Sequence, residues 1–371
     1  MRVTCHRERL LSAFQTCATV APARSPKPIL RNVKLVVGES GATLLATDLE
    51  LGIRMDVPDM DVQSPGAAVL PLDRFGSILR ESSDERLRLE SDGKSIVVRG
   101  ERSEFRLPAE NPDEYPAVAE FSESRYHELP ARLARELIRR TIFATDAESN
   151  RYALGGVLLE FLPNQIVAVG TDGRRLAKME VPATATGGGA GSDAMTIVPA
   201  KAMQLIDRTL GDGDEVIRVT SRNNELLVKT PRSTVYARLL EGRFPRWRDV
   251  FPNRAAAARL ELTVGQLHAA VRQAMIVTNE ESRGVDFAFS KGNLVLTGQA
   301  AEMGESHVEL PVAYDGENIG IKLDPRFVAD FLKALDPEKT FTIDIKDAES
   351  AAVCSTDDGY GYVIMPLARD R

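Results

Sequence analysis

The sequence predicts an α+β protein in which one unit, two helices packed on antiparallel sheets, is written three times. The stretch LATDLELGIRMDVP (Leu45–Pro58) returns as VGTDGRRLAKMEVP (Val169–Pro182), with Thr-Asp, a turn, a basic residue, an apolar alternation and Val-Pro in the same order. Asp48 and Asp172 stand 124 residues apart, one third of the 371-residue chain. Each third also runs through the same patterns, helix, strands, helix, strands, as a duplicated unit does. A chain of this length exceeds what one hydrophobic core supports.

Each unit opens on an amphipathic helix. The apolar stripe is Leu10, Phe14, Cys17 and Ala18 in HRERLLSAFQTCATV. It is Leu133, Leu137 and the Thr141 position in PARLARELIRRTIFAT, and Leu267, Val271 and Ala274 in TVGQLHAAVRQAMIVT. Spacings of three and four put these residues on one helix face. Alternating segments broken by Gly, Asn or Ser follow in Asn32–Pro58, Gly155–Pro182 and Val285–Val312, the mark of antiparallel hairpins. The second helices are PLDRFGSILRES, PAKAMQLIDRTL and DPRFVADFLKAL, with Pro71 and Pro199 at or near the first turn, where the missing N–H has no helical partner. RLRLESDGKSIVVRG, VIRVTSRNNELLVKT and FTIDIKDAESAAVCS close the units as hairpins. Connectors lie near Ala109–Phe121 and Phe251–Glu261, rich in Pro or small residues. The stretch TATGGGAGSD (Thr184–Asp193) reads as a flexible loop inside the second unit. A strand follows it, whereas a phosphate cradle needs a helix N-terminus there.

Chemistry of the enzymatic kind is hard to find. DGKS (Asp92–Ser95) lacks the Gly a phosphate loop requires, because Arg88 holds that position. No GxSxG occurs. His6, His127, His268 and His307 are dispersed without metal-ligand spacing. Cys5, Cys17 and Cys354 form no CxxC pair, which fits a reducing cytoplasm. The N-terminus carries no secretory h-region, and no apolar run is long enough to span a bilayer. We therefore expect a cytoplasmic protein that is not an enzyme, with no metal and no cofactor.

Charge placement says more. The formal net charge is −7, so the whole molecule is no generic polyanion binder. Yet Arg132, Arg135, Arg139 and Arg140 crowd one helix against Glu136, and the second helices carry Arg74 and Arg80, Lys201 and Arg208, Arg326 and Lys333. Arg80 and Arg208 share an offset, nine residues after Pro71 and Pro199. Such faces are either simply solvated or turned toward nucleic-acid phosphates. Asp48 and Asp172 fit turn-forming aspartates better than catalytic ones. EGRFPRWRDVFP, which holds the single tryptophan Trp247, and the apolar C-terminal YGYVIMPLARDR suit either inter-domain packing or a ligand groove.

Taken together, SPKPILRNVKL, LATDLELG, RYALGGVLLE, GTDGRRLA, EGRFPRW, SRGVDF and the terminal VIMPL resemble the bacterial DNA polymerase III beta subunit family, the replicative sliding clamps, over the whole chain. The resemblance implies three similar clamp domains, at 1–125, 126–254 and 255–371, forming half of a closed ring. That ring would be a head-to-tail homodimer that encircles double-stranded DNA without reading sequence. Helices would line the hole and sheets would form the outer wall. Candidate channel residues by position are Arg24, Arg74, Arg80, Arg135, Arg139, Lys201, Arg208 and Arg272, of which Arg24 matches a DNA-contacting position of the family in the loop before PILRN. Asp73 departs from the family, which commonly has a basic residue there. Partners implied are the DNA polymerase III catalytic subunit, the clamp loader, and other polymerases and repair proteins bringing segments rich in Leu and Phe. Their pocket would be lined by Leu154, Thr171, Gly173, Arg174, Arg175, Leu176, Pro245, Val250, Val363, Met365, Pro366 and Leu367. The family typically closes MPMRL. MPLARDR differs, and Arg369, Asp370 and Arg371 are expected to screen the pocket mouth in part. Two other classes stand beside this one: a solenoid-like scaffold that never closes, and an enzyme whose carboxylates meet only on folding.

Overall fold

The computed structural model describes residues 1–146, 153–188, 195–211, 213–251, 258–279, 283–301 and 303–367. The chain folds into two compact units, Met1–Arg135 with Ala183–Leu240, and Glu136–Pro182 with Glu241–Arg371. Each unit joins parts of neighbouring repeats, because strands pair across repeat boundaries. Leu51–Val57 lies antiparallel to Ser233–Arg238, and Arg175–Pro182 lies antiparallel to Gly361–Ile364.

The first unit holds two antiparallel sheets. One runs Met60–Ser64, Arg2–His6, Arg86–Ser91, Ser95–Arg99, Glu104–Pro108. The other runs Thr184–Thr186, Tyr126–Pro130, Val216–Arg222, Glu225–Lys229, Ser233–Arg238, Leu51–Val57, Ala42–Thr47, Asn32–Val37, Gly66–Pro71. Helix α1 (Arg7–Ala18) buries Leu10, Ala13, Phe14 and Cys17, and α2 (Leu72–Glu81) buries Phe75, Gly76, Ile78 and Leu79. The two meet at Phe14 and Phe75, ring centroids 5.1 Å apart and edge-on, the arrangement the ring quadrupole favours. Helix α3 (Ala131–Arg139) begins in this unit, and α4 (Ala200–Thr209) turns Ala202, Met203, Leu205 and Ile206 inward.

In the second unit one sheet carries Gly156–Leu162, Gln165–Thr171, Arg175–Pro182, Gly361–Ile364, Ala352–Ser355, Thr340–Ile345 and Ala258–Thr263 in that order. A second sheet runs Gly304–Pro311, Asn293–Ala300, Val285–Ser290, Ile319–Leu323. Helices α5 (Val264–Ala274) and α6 (Pro325–Lys333) pack together. The core below α6 is aromatic. Phe331 stacks on Tyr362 at 5.0 Å and on Tyr360 at 5.5 Å, and meets Phe341 edge-on at 5.2 Å. Cys5, Cys17 and Cys354 are buried free thiols, and burial pushes Cys5 up to about 12.

Two local details differ from the sequence expectation. Helix α3 stops at Arg139; a 3-10 turn, Ile142–Ala144, follows, and the buried Thr141 hydroxyl donates to the Leu137 carbonyl at 2.6 Å. Thr184–Thr186 is not loop but a strand paired with Tyr126–Glu128, because an open sheet edge was available to it. The rest of the expected Gly187–Gly191 loop, beyond Gly188, lies outside the described residues. Pro71 and Pro199 sit one residue before their helices, at the capping position, while in the third repeat Asp324 caps α6 by accepting from Arg326 N at 3.0 Å.

Candidate functional site

The two Thr-Asp stretches fold into the same turn. Thr47 Oγ1 donates to Leu51 O at 2.9 Å and accepts from Leu49 N at 2.9 Å; Thr171 Oγ1 donates to Arg175 O at 2.6 Å and accepts from Gly173 N at 3.1 Å. Asp48 Oδ1 accepts from Glu50 N at 3.0 Å and Leu51 N at 2.7 Å, as Asp172 Oδ1 does from Arg174 N at 2.9 Å and Arg175 N at 3.0 Å. The turn needs a left-handed residue at its tip. Gly173 supplies it at φ 87°, but the first copy places Leu49 there at φ 80°, with 45% of its surface exposed. A Cβ in that region costs about 1 kcal/mol. Leu49→Asn, which tolerates this conformation, is therefore expected to raise stability by up to about 1 kcal/mol, seen as a higher denaturant midpoint at unchanged slope.

The second turn is built into a larger arrangement. Leu176 pairs with Val363 and Arg175 with Ile364, and beyond the ladder Met365 N donates to Arg174 O at 2.9 Å. Leu367 N then donates to Lys322 O at 2.8 Å, tying the C-terminal stretch to the strand Ile319–Leu323. Arg175 anchors the turn from below. Its Nε donates to Asp172 Oδ2 at 3.0 Å, Nη1 to Asp330 Oδ2 at 2.6 Å and Nη2 to Phe143 O at 2.7 Å. Its guanidinium also lies 4.3 Å from the Phe327 ring centroid, with the Arg174 guanidinium 5.7 Å from the same ring. Tyr362 donates to Phe327 O at 3.0 Å, and burial raises its phenol well above the usual range, so it stays a donor. Leu154, Thr171, Leu176 and Val363 are buried, Arg175 is nearly so, and Gly173, Arg174, Pro245, Val250 and Met365 are exposed, with Pro366 and Leu367 between. Leu176, Val363 and Met365 thus come together at the end of this ladder, with the exposed Arg174 beside them. Arg369, Asp370 and Arg371, expected to screen the pocket mouth, lie outside the described residues.

Three domain models match in sequence: the N-terminal domain of the DNA polymerase III beta subunit over residues 1–119, its central domain over 128–246 and its C-terminal domain over 248–368. The chain belongs to the DNA polymerase III beta subunit family. It is 30% identical to the beta sliding clamp of Escherichia coli K12 over 99% of this chain and 100% of that one, and 29% identical to that of Chlamydia pneumoniae over 99% of both. A solved sliding clamp from Pseudomonas aeruginosa, bound to griselimycin, has a TM-score of 0.91 at 28% identity over all of both chains. The Bacillus subtilis clamp reaches 0.91 at 21% identity, again over all of both chains, a likeness of fold.

The basic residues expected to line a channel fall into two groups. Arg24, Arg74, Arg208 and Arg272 are exposed with no hydrogen-bond or ion-pair partner among the described residues. The others are already engaged. Arg80 donates to Ser77 Oγ at 3.1 Å, Arg139 to Glu136 at 2.8 Å, and Lys201 to Asp48 Oδ2 at 2.8 Å. Arg135 is half-buried and donates to Leu210 O at 2.6 Å, so it braces the end of α4. Arg140, which follows the basic helix directly, is buried instead, bonded to Asp358 at 2.6 Å and facing the Tyr360 ring at 5.3 Å. Sequence reasoning missed Phe143, Phe327, Asp330 and Tyr362, which hold this arrangement together; no local pattern marks them. Among the described residues no cluster of His, Cys, Asp or Glu could hold a metal, and no helix is long and apolar enough to cross a membrane.

Proposed function

We propose that this protein is a DNA sliding clamp, a processivity factor that closes as a head-to-tail homodimer around duplex DNA and tethers the replicative polymerase through the platform at Leu176, Val363 and Met365. The observation that carries this is the match of three clamp domain models in order along the whole chain. Domain boundaries at 1–125, 126–254 and 255–371 go with it. A head-to-tail contact whose rotation closes makes a ring. Glu104–Pro108 is an edge strand with Phe105 exposed, the kind of edge a second chain covers. Duplex DNA carries one charge per about 1.7 Å of axis, so unpaired arginines on helices attract it without reading bases. Arg74, Arg208 and Arg272 on helices, and Arg24 in the loop after α1, which have no partner among the described residues, are the best candidates for that contact, and the engaged cations would have to exchange an internal partner for a phosphate.

The platform supplies the second half of the role. Leu- and Phe-rich segments of the catalytic subunit, the clamp loader and repair polymerases would bury their apolar side chains against Val250, Met365 and Leu367, in a cytoplasmic setting. The Pseudomonas aeruginosa clamp solved with griselimycin gives a ready probe for ligand binding. Multi-angle light scattering at micromolar concentration tests the assembly: a mass of twice the 40.6 kDa chain is expected, and a monomer supports the open scaffold instead.

A further inference from the structure

The equivalence of the two turns extends to the strands around them, and it isolates one residue. In the first unit the connector after the last hairpin lies down on the sheet. A Cβ placed on Gly52 would come within 3.0 Å of Val118 Cγ1, and Arg54 Nη1 donates to Val118 O at 3.3 Å. Arg54 also pairs with Glu120 at 2.5 Å, and Val118 is only 6% exposed. The sheet position of Gly52 is that of Leu176 in the second unit, 124 residues on.

In the second unit the connector Glu241–Phe251 takes another course. Trp247 Nε1 donates to Glu160 Oε1 at 3.1 Å, and Arg248 forks onto the same carboxylate at 3.0 and 2.5 Å. The Arg248 guanidinium lies 4.3 Å from the Trp247 ring centroid, so one carboxylate holds a stacked pair. Trp247 N donates to Pro245 O at 2.8 Å and Val250 N to Trp247 O at 3.1 Å, which fixes both flanking residues to the pair. Phe251 then returns to the sheet against Gly361. Val250 stays 38% exposed, whereas Val118 in the first connector is buried. The counterpart of Glu160 in the first unit is Val36, which offers no acceptor side chain.

We propose that Glu160 is the positioning residue of the peptide platform: by gripping Trp247 and Arg248 it sets the connector so that Pro245 and Val250 form a rim and not a lid. The inference rests on the docking role proposed above. Glu160 touches no partner itself; it acts through the connector.

The chain has a single tryptophan, so Trp247 emission reports on the connector alone. Full-length Glu160→Ala, Glu160→Gln and Met365→Lys are compared with the parent. The readouts are anisotropy of a fluorescein-labelled synthetic peptide, Ser-Leu-Ser-Leu-Phe, tryptophan emission, and the thermal midpoint. Glu160→Ala is expected to weaken peptide binding about tenfold and shift the emission to the red while the midpoint stays near the parent's. Glu160→Gln keeps an acceptor for the indole but loses the guanidinium fork, and is expected to fall between the two. Unchanged affinity in Glu160→Ala, with binding abolished in Met365→Lys, overturns the inference and leaves the platform standing. Unchanged affinity in Met365→Lys as well overturns the docking role, and this inference with it.

Discussion

Arg175→Ala will lower the unfolding free energy by about 3 kcal/mol and remove peptide docking. The side chain is 10% exposed and bonds Asp172, Asp330 and the Phe143 carbonyl while lying over the Phe327 ring. Truncation strips the nearly buried Asp172 carboxylate of its ion pair and leaves the Phe143 carbonyl without its donor. It also weakens the hold of the Asp172 turn on α6, because Asp330 and Phe327 are both α6 residues and only the Arg174 guanidinium, 5.7 Å from the Phe327 ring centroid, then still faces that helix among the interactions described. Arg175→Lys keeps the charge but cannot fork between three acceptors, so it should recover only part of the stability. Urea unfolding and peptide anisotropy check both variants. An Arg175→Ala protein that unfolds at the parent's midpoint and binds peptide normally contradicts the anchoring role of Arg175.

Reversal of Arg24, Arg74, Arg208 and Arg272 to Glu should cut retention on circular DNA at least tenfold at moderate salt and leave peptide affinity unchanged. These four have no internal partner among the described residues to satisfy, so their charges are free to face phosphates. Every DNA phosphate that is no longer neutralised lowers the salt slope of binding by about 0.9. Reversal of Arg139 with Lys201 should do less, since both already pair with carboxylates. Arg135 is a different case: its reversal removes the donor to Leu210 O, and the expected damage is to folding. Equal retention by the fourfold variant and the parent removes these arginines from the DNA interface.

Local physics explains what the sequence made legible. The Thr-Asp turns were readable because their hydrogen bonds span two to four residues and use side chains that form such turns. The helices were readable from spacing, although α3 ended early once Thr141 bonded back to Leu137. The pairing of Arg175–Pro182 with Gly361–Ile364 joins segments far apart in the chain, and nothing in either strand names its partner. Leu176 and Val363 therefore entered the candidate site only through family resemblance. Asp330 and Glu160 went unnoticed for the same reason, since each looks like any half-exposed carboxylate until the fold brings an arginine to it. The basic helix faces were legible as charge, but which arginines were already engaged was not.

The protein stays on DNA because it surrounds it. After loading onto nicked circular duplex by a clamp loader and isolation by gel filtration, the complex should persist at salt concentrations that defeat simple phosphate binding. Cutting the circle once with a restriction enzyme should then release the protein from the free ends. Equal persistence on circular and linear DNA, or dissociation from both at the same salt, would contradict enclosure and leave an ordinary electrostatic binder.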